Sequence, residues 1–110
     1  MDNISLTALV REQLELAKVA SSGRSAHTVF GGHEHTLRQT VIALAAGQAL
    51  GEHENPGEAT LYVLHGRVVL TAGDTEWRGA AGHFLVIPDV RHTLTAEEDS
   101  AVLLTTAIAR

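Results

Sequence analysis

Leu50-Gly51-Glu52-His53-Glu54-Asn55-Pro56-Gly57-Glu58-Ala59-Thr60-Leu61-Tyr62-Val63-Leu64-His65-Gly66 decides the fold. Its first half is the most polar, turn-forming cluster of the chain. Its second half, Leu61 to His65, is an apolar run of strand character that Gly66 stops. A second stretch answers it: Gly82-His83-Phe84-Leu85-Val86-Ile87-Pro88-Asp89-Val90-Arg91-His92. Gly66 suits the positive φ of a hairpin between two buried strands. Gly82 permits a tight loop before a buried strand, Phe84 to Ile87. Pro88 ends that strand because it has no N–H for the ladder.

Outward from these stretches the strand signals continue in both directions. Ala26 to Phe30 is short and β-branched, Gly31-Gly32-His33-Glu34-His35 is a turn, and Leu37 to Ala45 alternates before turning apolar on both faces. Downstream, Arg67 to Ala72, Thr75 to Arg78, Thr93 to Thr95 and Ala101 to Ile108 read as strands separated by Gly73-Asp74, Gly79 to Gly82 and the acidic turn Glu97-Glu98-Asp99. Short strands at this spacing, with no helices between them, mean a sandwich or a closed barrel. Residues 4 to 20 are the exception. Leu6, Leu9, Val10, Gln13, Leu14 and Ala17 recur at helical spacing, and Ser5 is placed to cap the N-terminus with Ile4 and Leu9 as a hydrophobic staple. Gly23 follows as a natural C′ residue. The helix is expected to pack on the outside of the domain, or to lend its apolar face to a dimer.

Composition narrows the function classes. A chain of 110 residues forms one domain, read as an N-terminal helix and connection over 1–24 and a β-barrel over 25–110. With aromatic residues at 4%, the core must be aliphatic and rich in Ala. Eight basic residues are scattered singly in a chain of net charge −5, which disfavours nucleic acid. The absence of cysteine removes disulfides, thiol nucleophiles and thiolate metal sites. No apolar run nears the roughly 20 residues of a spanning helix, and Met1-Asp2-Asn3 does not begin a signal peptide. The expectation is therefore a cytoplasmic protein with no membrane partner. Seven histidines invite a metal hypothesis. His33 and His35 form an H-x-H, but at a hairpin tip and with no third ligand. His65 and His83 flank turns and are expected at the surface.

The two stretches resemble the two sequence motifs of the cupin family, small jelly-roll barrels. The first motif runs His, any residue, His, three or four residues, Glu, six residues, Gly. The second runs Gly, five residues, Pro, any residue, Gly, two residues, His. Pro56-Gly57 with Leu61 to Gly66 is similar to the strand and turn of the first, and Gly82 to Pro88 keeps the spacing of the second. The resemblance spans residues 37 to 108 and implies an all-β fold, a double-stranded β-helix (jelly-roll) barrel with one N-terminal α-helix.

The ligand positions of the motifs match less well. His53 stands at the first His, Asn55 at the second and Ala59 at the Glu, while His92 lies one residue nearer the Pro than the motif has it, with Val90 in place of the Gly. Glu58 is one place out of register, and such a slip turns a strand residue to the other face. Two readings follow. In the first, the chain is a small stand-alone barrel that binds an unknown small molecule, with an incomplete metal site, no assignable reaction, and a pocket drawn from His53, Asn55, Tyr62, His92 and Gln39. In the second, it is a metal-dependent enzyme of dioxygenase, isomerase or decarboxylase type. There His53, His92 and Glu58 would hold a divalent transition metal such as Zn, Ni, Mn or Fe. Whether the chain is an enzyme stays open. The resemblance also implies a homodimer.

Overall fold

Strand pairing in this protein follows one rule. The computed structural model describes residues 3–53 and 57–108, with only the backbone at Glu52 and His53. After helix α1 (Leu6–Val19) come β1 (Arg24–Phe30), β2 (Leu37–Leu44), β3 (Ala49–His53), β4 (Glu58–His65), β5 (Arg67–Ala72), β6 (Thr75–Ala80), β7 (Phe84–Val86), β8 (His92–Ala96) and β9 (Ser100–Ala107). β5 pairs with β6, β4 with β7, β3 with β8 and β2 with β9, all antiparallel. A long hairpin has thus been rolled so that successive pairs fall alternately into two sheets. One sheet has the order β1-β2-β9-β4-β7 and the other β3-β8-β5-β6. This is the jelly roll that the family resemblance implies, one of the all-β architectures the strand spacing allows.

The roll requires corners, and Gly66 makes one of them. β4 and β5 are consecutive but lie in different sheets. Gly66 is therefore the crossing between sheets and not the tip of a hairpin, which corrects the sequence reading. Its φ is 83°. A Cβ there would stand 2.3 Å from Ser100 Oγ and 2.4 Å from Asp99 O. The buried Ser100 braces the same corner: its Oγ accepts from Arg67 N–H at 3.0 Å and donates to Glu98 O at 2.7 Å.

Alternation along the strands fills the space between the sheets. Ile42 and Leu44 of β2, Ala59, Leu61 and Val63 of β4, Val68 and Leu70 of β5, Leu94 and Ala96 of β8, and Val102 of β9 form one aliphatic core. The other face of β2 is buried too, because α1 lies across β1 and β2. Val41 and Ala43 are fully covered there. Leu9, Gln13 and Ala17, one helical turn apart, are the helix's buried stripe. Gln13 is tied to Ser25 of β1 by a hydrogen bond from Ser25 Oγ to Gln13 Oε1. Ser5 caps the helix, its Oγ accepting from Ala8 N–H at 3.2 Å. The C-terminus ends without the expected glycine: Ala20 is the cap in an extended conformation, and Gly23 uses its φ of 68° for the turn into β1.

Two other strands differ from expectation. β3 occupies residues that read as turn, since Ala49 and Leu50 pair with Thr95 and Leu94. β7 reads as a buried strand, yet Phe84 and Val86 point outward and are well exposed, with only Leu85 and Ile87 turned in. β7 is an edge strand with nothing over its outer face among the described residues.

Candidate functional site

His92 is the one histidine inside the fold among the described residues, at 2% exposure. It opens β8 on the face that carries Leu94 and Ala96 into the core. Its Nδ1 lies 2.8 Å from the carbonyl oxygen of Val90. A carbonyl can only accept, so Nδ1 carries a proton and donates it to Val90. Such a backbone contact fixes both tautomer and ring orientation, as it does for histidines that bind ligands.

The register of β3 on β8 bears on the other half of the site. Leu50 stands opposite Leu94, and His53 opposite His92. Three steps on β3 thus match two on β8. The extra residue is a bulge, a device found where a strand must re-aim a side chain beside a site. Without it Glu52 would face His92. The two histidines meet in the backbone register, although nothing is described of the His53 side chain. Asn55 lies outside the described residues.

The remaining candidates fall on the outer surface of the barrel. Tyr62 is 42% exposed, and it alternates with the buried Leu61 and Val63. It stands beside the outward-facing Phe84 of β7 and so lines no interior pocket. Gln39 shares the outer face of β2 with Val41 and Ala43, its Nε2 donating to Thr105 Oγ1 at 3.3 Å. Glu58 begins β4 on the face of Thr60 and Tyr62 and is exposed, so the inward swing that a metal ligand would need is not made.

A different set faces inward at the His92 end. β2 pairs with β9 without interruption from Leu37 to Leu44, so Arg38 and Thr40 share the face of Ile42 and Leu44. Arg38 stands opposite Thr106, and Thr106 opposite Ala59. Sequence reasoning misses Arg38 because the apolar run of β2 is buried on both faces, which hides the phase of its alternation. The signal emerges only if the phase is counted back from Leu44.

Below this row the interior is full. The cavity beside His92 measures about 10 Å³ and is walled by apolar side chains, Leu50, Leu61, Ile87, Leu94 and Leu104 among them. That is the least room a single water needs. Larger hollows are open clefts on the outside. One of about 470 Å³ runs past Arg67, Arg78 and His83, where Arg78 is neutralised by Glu97 at 2.6 Å and Glu76 at 3.3 Å. The hydrogen bond and charge of Glu97 raise the Arg78 pKa above its ordinary value.

A catalytic transition-metal site needs about three protein ligands. Among the described residues no group of three His, Asp or Glu side chains comes together. The position of the motif's carboxylate is Ala59, 4% exposed and packed into the core with no ligand atom to offer. The described residues therefore do not fit a metal.

Fold and motif spacing together define a small jelly-roll barrel with an altered ligand set. Residues 40–108 match the family model of the cupin domain, and the chain belongs to the cupin family. Among solved structures it is similar to a conserved protein of unknown function from Streptococcus pyogenes. That match has 28% identity and a TM-score of 0.73 over 83% of this chain and 79% of that one. It is also similar to an RmlC-like cupin from Desulfovibrio desulfuricans, at 27% identity and a TM-score of 0.67 over 76% and 81% of the two chains. A cupin superfamily protein from Desulfitobacterium hafniense shares the fold at 18% identity, with a TM-score of 0.75 over 87% of each chain. No curated protein matches.

Proposed function

We propose that this cupin barrel binds a small organic molecule at its His92 end, with no specific reaction assignable. The observation that carries the reading is His92 itself. It is a buried imidazole of fixed tautomer at the boundary between a filled aliphatic interior and the polar row of Arg38 and Thr106. Binding sites of this type are apolar surfaces with a few polar anchors. Thr106 and Thr40 would offer hydroxyls to a ligand at the His92 end, and Leu104 and Ile87 an apolar floor.

The test is native mass spectrometry and metal analysis of untagged protein purified without added metal. A co-purifying organic molecule that is lost in His92→Ala is the expected result. Added Zn²⁺, Ni²⁺, Mn²⁺ or Fe²⁺ should leave the melting temperature unchanged, because a ligand stabilises only the state that binds it. A stoichiometric transition metal lost in both His53→Ala and His92→Ala would overturn the proposal in favour of a metal enzyme.

A further inference from the structure

We infer that the ligand of the His92 end carries a carboxylate, recognised by Arg38; this rests on the binding role proposed above. The row Arg38–Thr106–Ala59 crosses three adjacent strands of the five-stranded sheet. It is the outermost inward-facing row. Behind it lie Thr40–Leu104–Leu61 and then Ile42–Val102–Val63. The first of these two rows supplies Leu61 and Leu104 to the wall of the small cavity that His92 also lines. Arg38 is thus on the same end of the barrel as His92, one layer further out.

The charge of this row sets the class of ligand. Where the metal motif would place a carboxylate, Ala59 contributes a methyl group, and a guanidinium enters two strands away. Adjacent strands lie roughly 4.8 Å apart, so the two backbones are about 10 Å from each other, within reach of an extended arginine and a small ligand. A row with a negative charge attracts a cation; this one, with a positive charge, attracts an anion. Arg38 is exposed and makes no hydrogen bond or ion pair among the described residues. It is also the sole charged residue on the inward faces of β2, β4, β5, β8 and β9. A guanidinium fork matches a carboxylate in bidentate geometry, while Thr106 beside it offers a hydroxyl donor. The class indicated is a small organic acid.

The test pairs acids with their neutral amides: acetate, succinate and benzoate against acetamide, succinamide and benzamide, read by thermal shift and titration calorimetry on the full chain. At least one carboxylate should raise the melting temperature where its amide does not. Arg38→Gln should then weaken that carboxylate on the order of tenfold to a hundredfold, the range for a hydrogen bond to a charged group. Arg67→Gln, which removes the same charge at the opposite end of the barrel, should bind as the parent does. Equal binding of acid and amide, or an Arg38→Gln variant that binds like the parent, would overturn the carboxylate inference. If His92→Ala abolished that same binding, the small-molecule reading would still stand. Stabilisation by none of the three acids also overturns the inference, and the co-purified molecule then decides the broader reading on its own.

Discussion

Gly66 holds a backbone that no other residue adopts without strain. Its φ of 83° lies in the left-handed region, and the space where a Cβ would go is taken by Ser100 Oγ at 2.3 Å and Asp99 O at 2.4 Å. Gly66→Ala therefore meets two costs, the conformation itself and a clash with backbone that cannot turn aside. The expected loss is about 2–4 kcal/mol of folding stability, read as a lower urea midpoint with an unchanged slope. Gly47 is the matched control. It has the same φ of 83° but nothing within 4 Å of the place a Cβ would take, so Gly47→Ala should lose only the conformational part, about 1 kcal/mol. Equal losses at the two positions would remove the clash from the explanation. The same scale explains which site residues are legible in advance. The place of His92 at the start of a strand is, because the Gly82 to Pro88 spacing fixes where the strand resumes. Chemistry alone draws Tyr62 and Gln39 to the pocket, and counting the phase from Leu61 and from Ile42 sends both outward.

Elements that carry their own boundary signals are legible in the sequence, and those defined by a distant partner are not. Helix α1 shows the first kind. Ser5 precedes an apolar stripe of period 3.6 and does cap it, with Ala8 N–H donating at 3.2 Å. Ser5→Ala should cost about 1 kcal/mol, with Ser5→Asp restoring it, measured by chemical denaturation monitored through ellipticity. A Ser5→Ala protein as stable as the parent would mean that packing on β1 and β2 alone sets the helix start. β3 shows the second kind. Gly51, Glu52 and His53 have no strand propensity, and they are extended because β8 holds Ala49 and Leu50 in register and the bulge then returns the chain opposite His92. β7 is misleading for a related reason. Phe84-Leu85-Val86-Ile87 reads as buried on both faces, but being at the sheet edge leaves half of it in solvent. A single sequence cannot tell an edge from a centre, since both are apolar runs of the same length.

On the scale of the molecule, the helix is the third layer, laid over one sheet. Val41, Ala43 and Ala101 on the outer faces of β2 and β9 are fully buried, and α1 packs on β1, β2 and β9. The two sheets are therefore not indifferent to the helix, although the interior between them is built without it. Removing residues 1 to 20 would uncover an apolar strip at the centre of the five-stranded sheet and free Ser25 from Gln13. Burying one leucine is worth about 1.5–3 kcal/mol, and the helix covers at least Val41 while burying Leu9, so the truncated protein should lose at least about 3 kcal/mol. The measurement is urea denaturation of the chain lacking residues 1 to 20, with light scattering to record mass. Stability close to that of the parent would show that the strip is covered by something other than the helix. A lower midpoint at unchanged mass assigns the helix to the fold itself, and a lower midpoint with a change in mass would tie the same surface to the homodimer that the family resemblance implies.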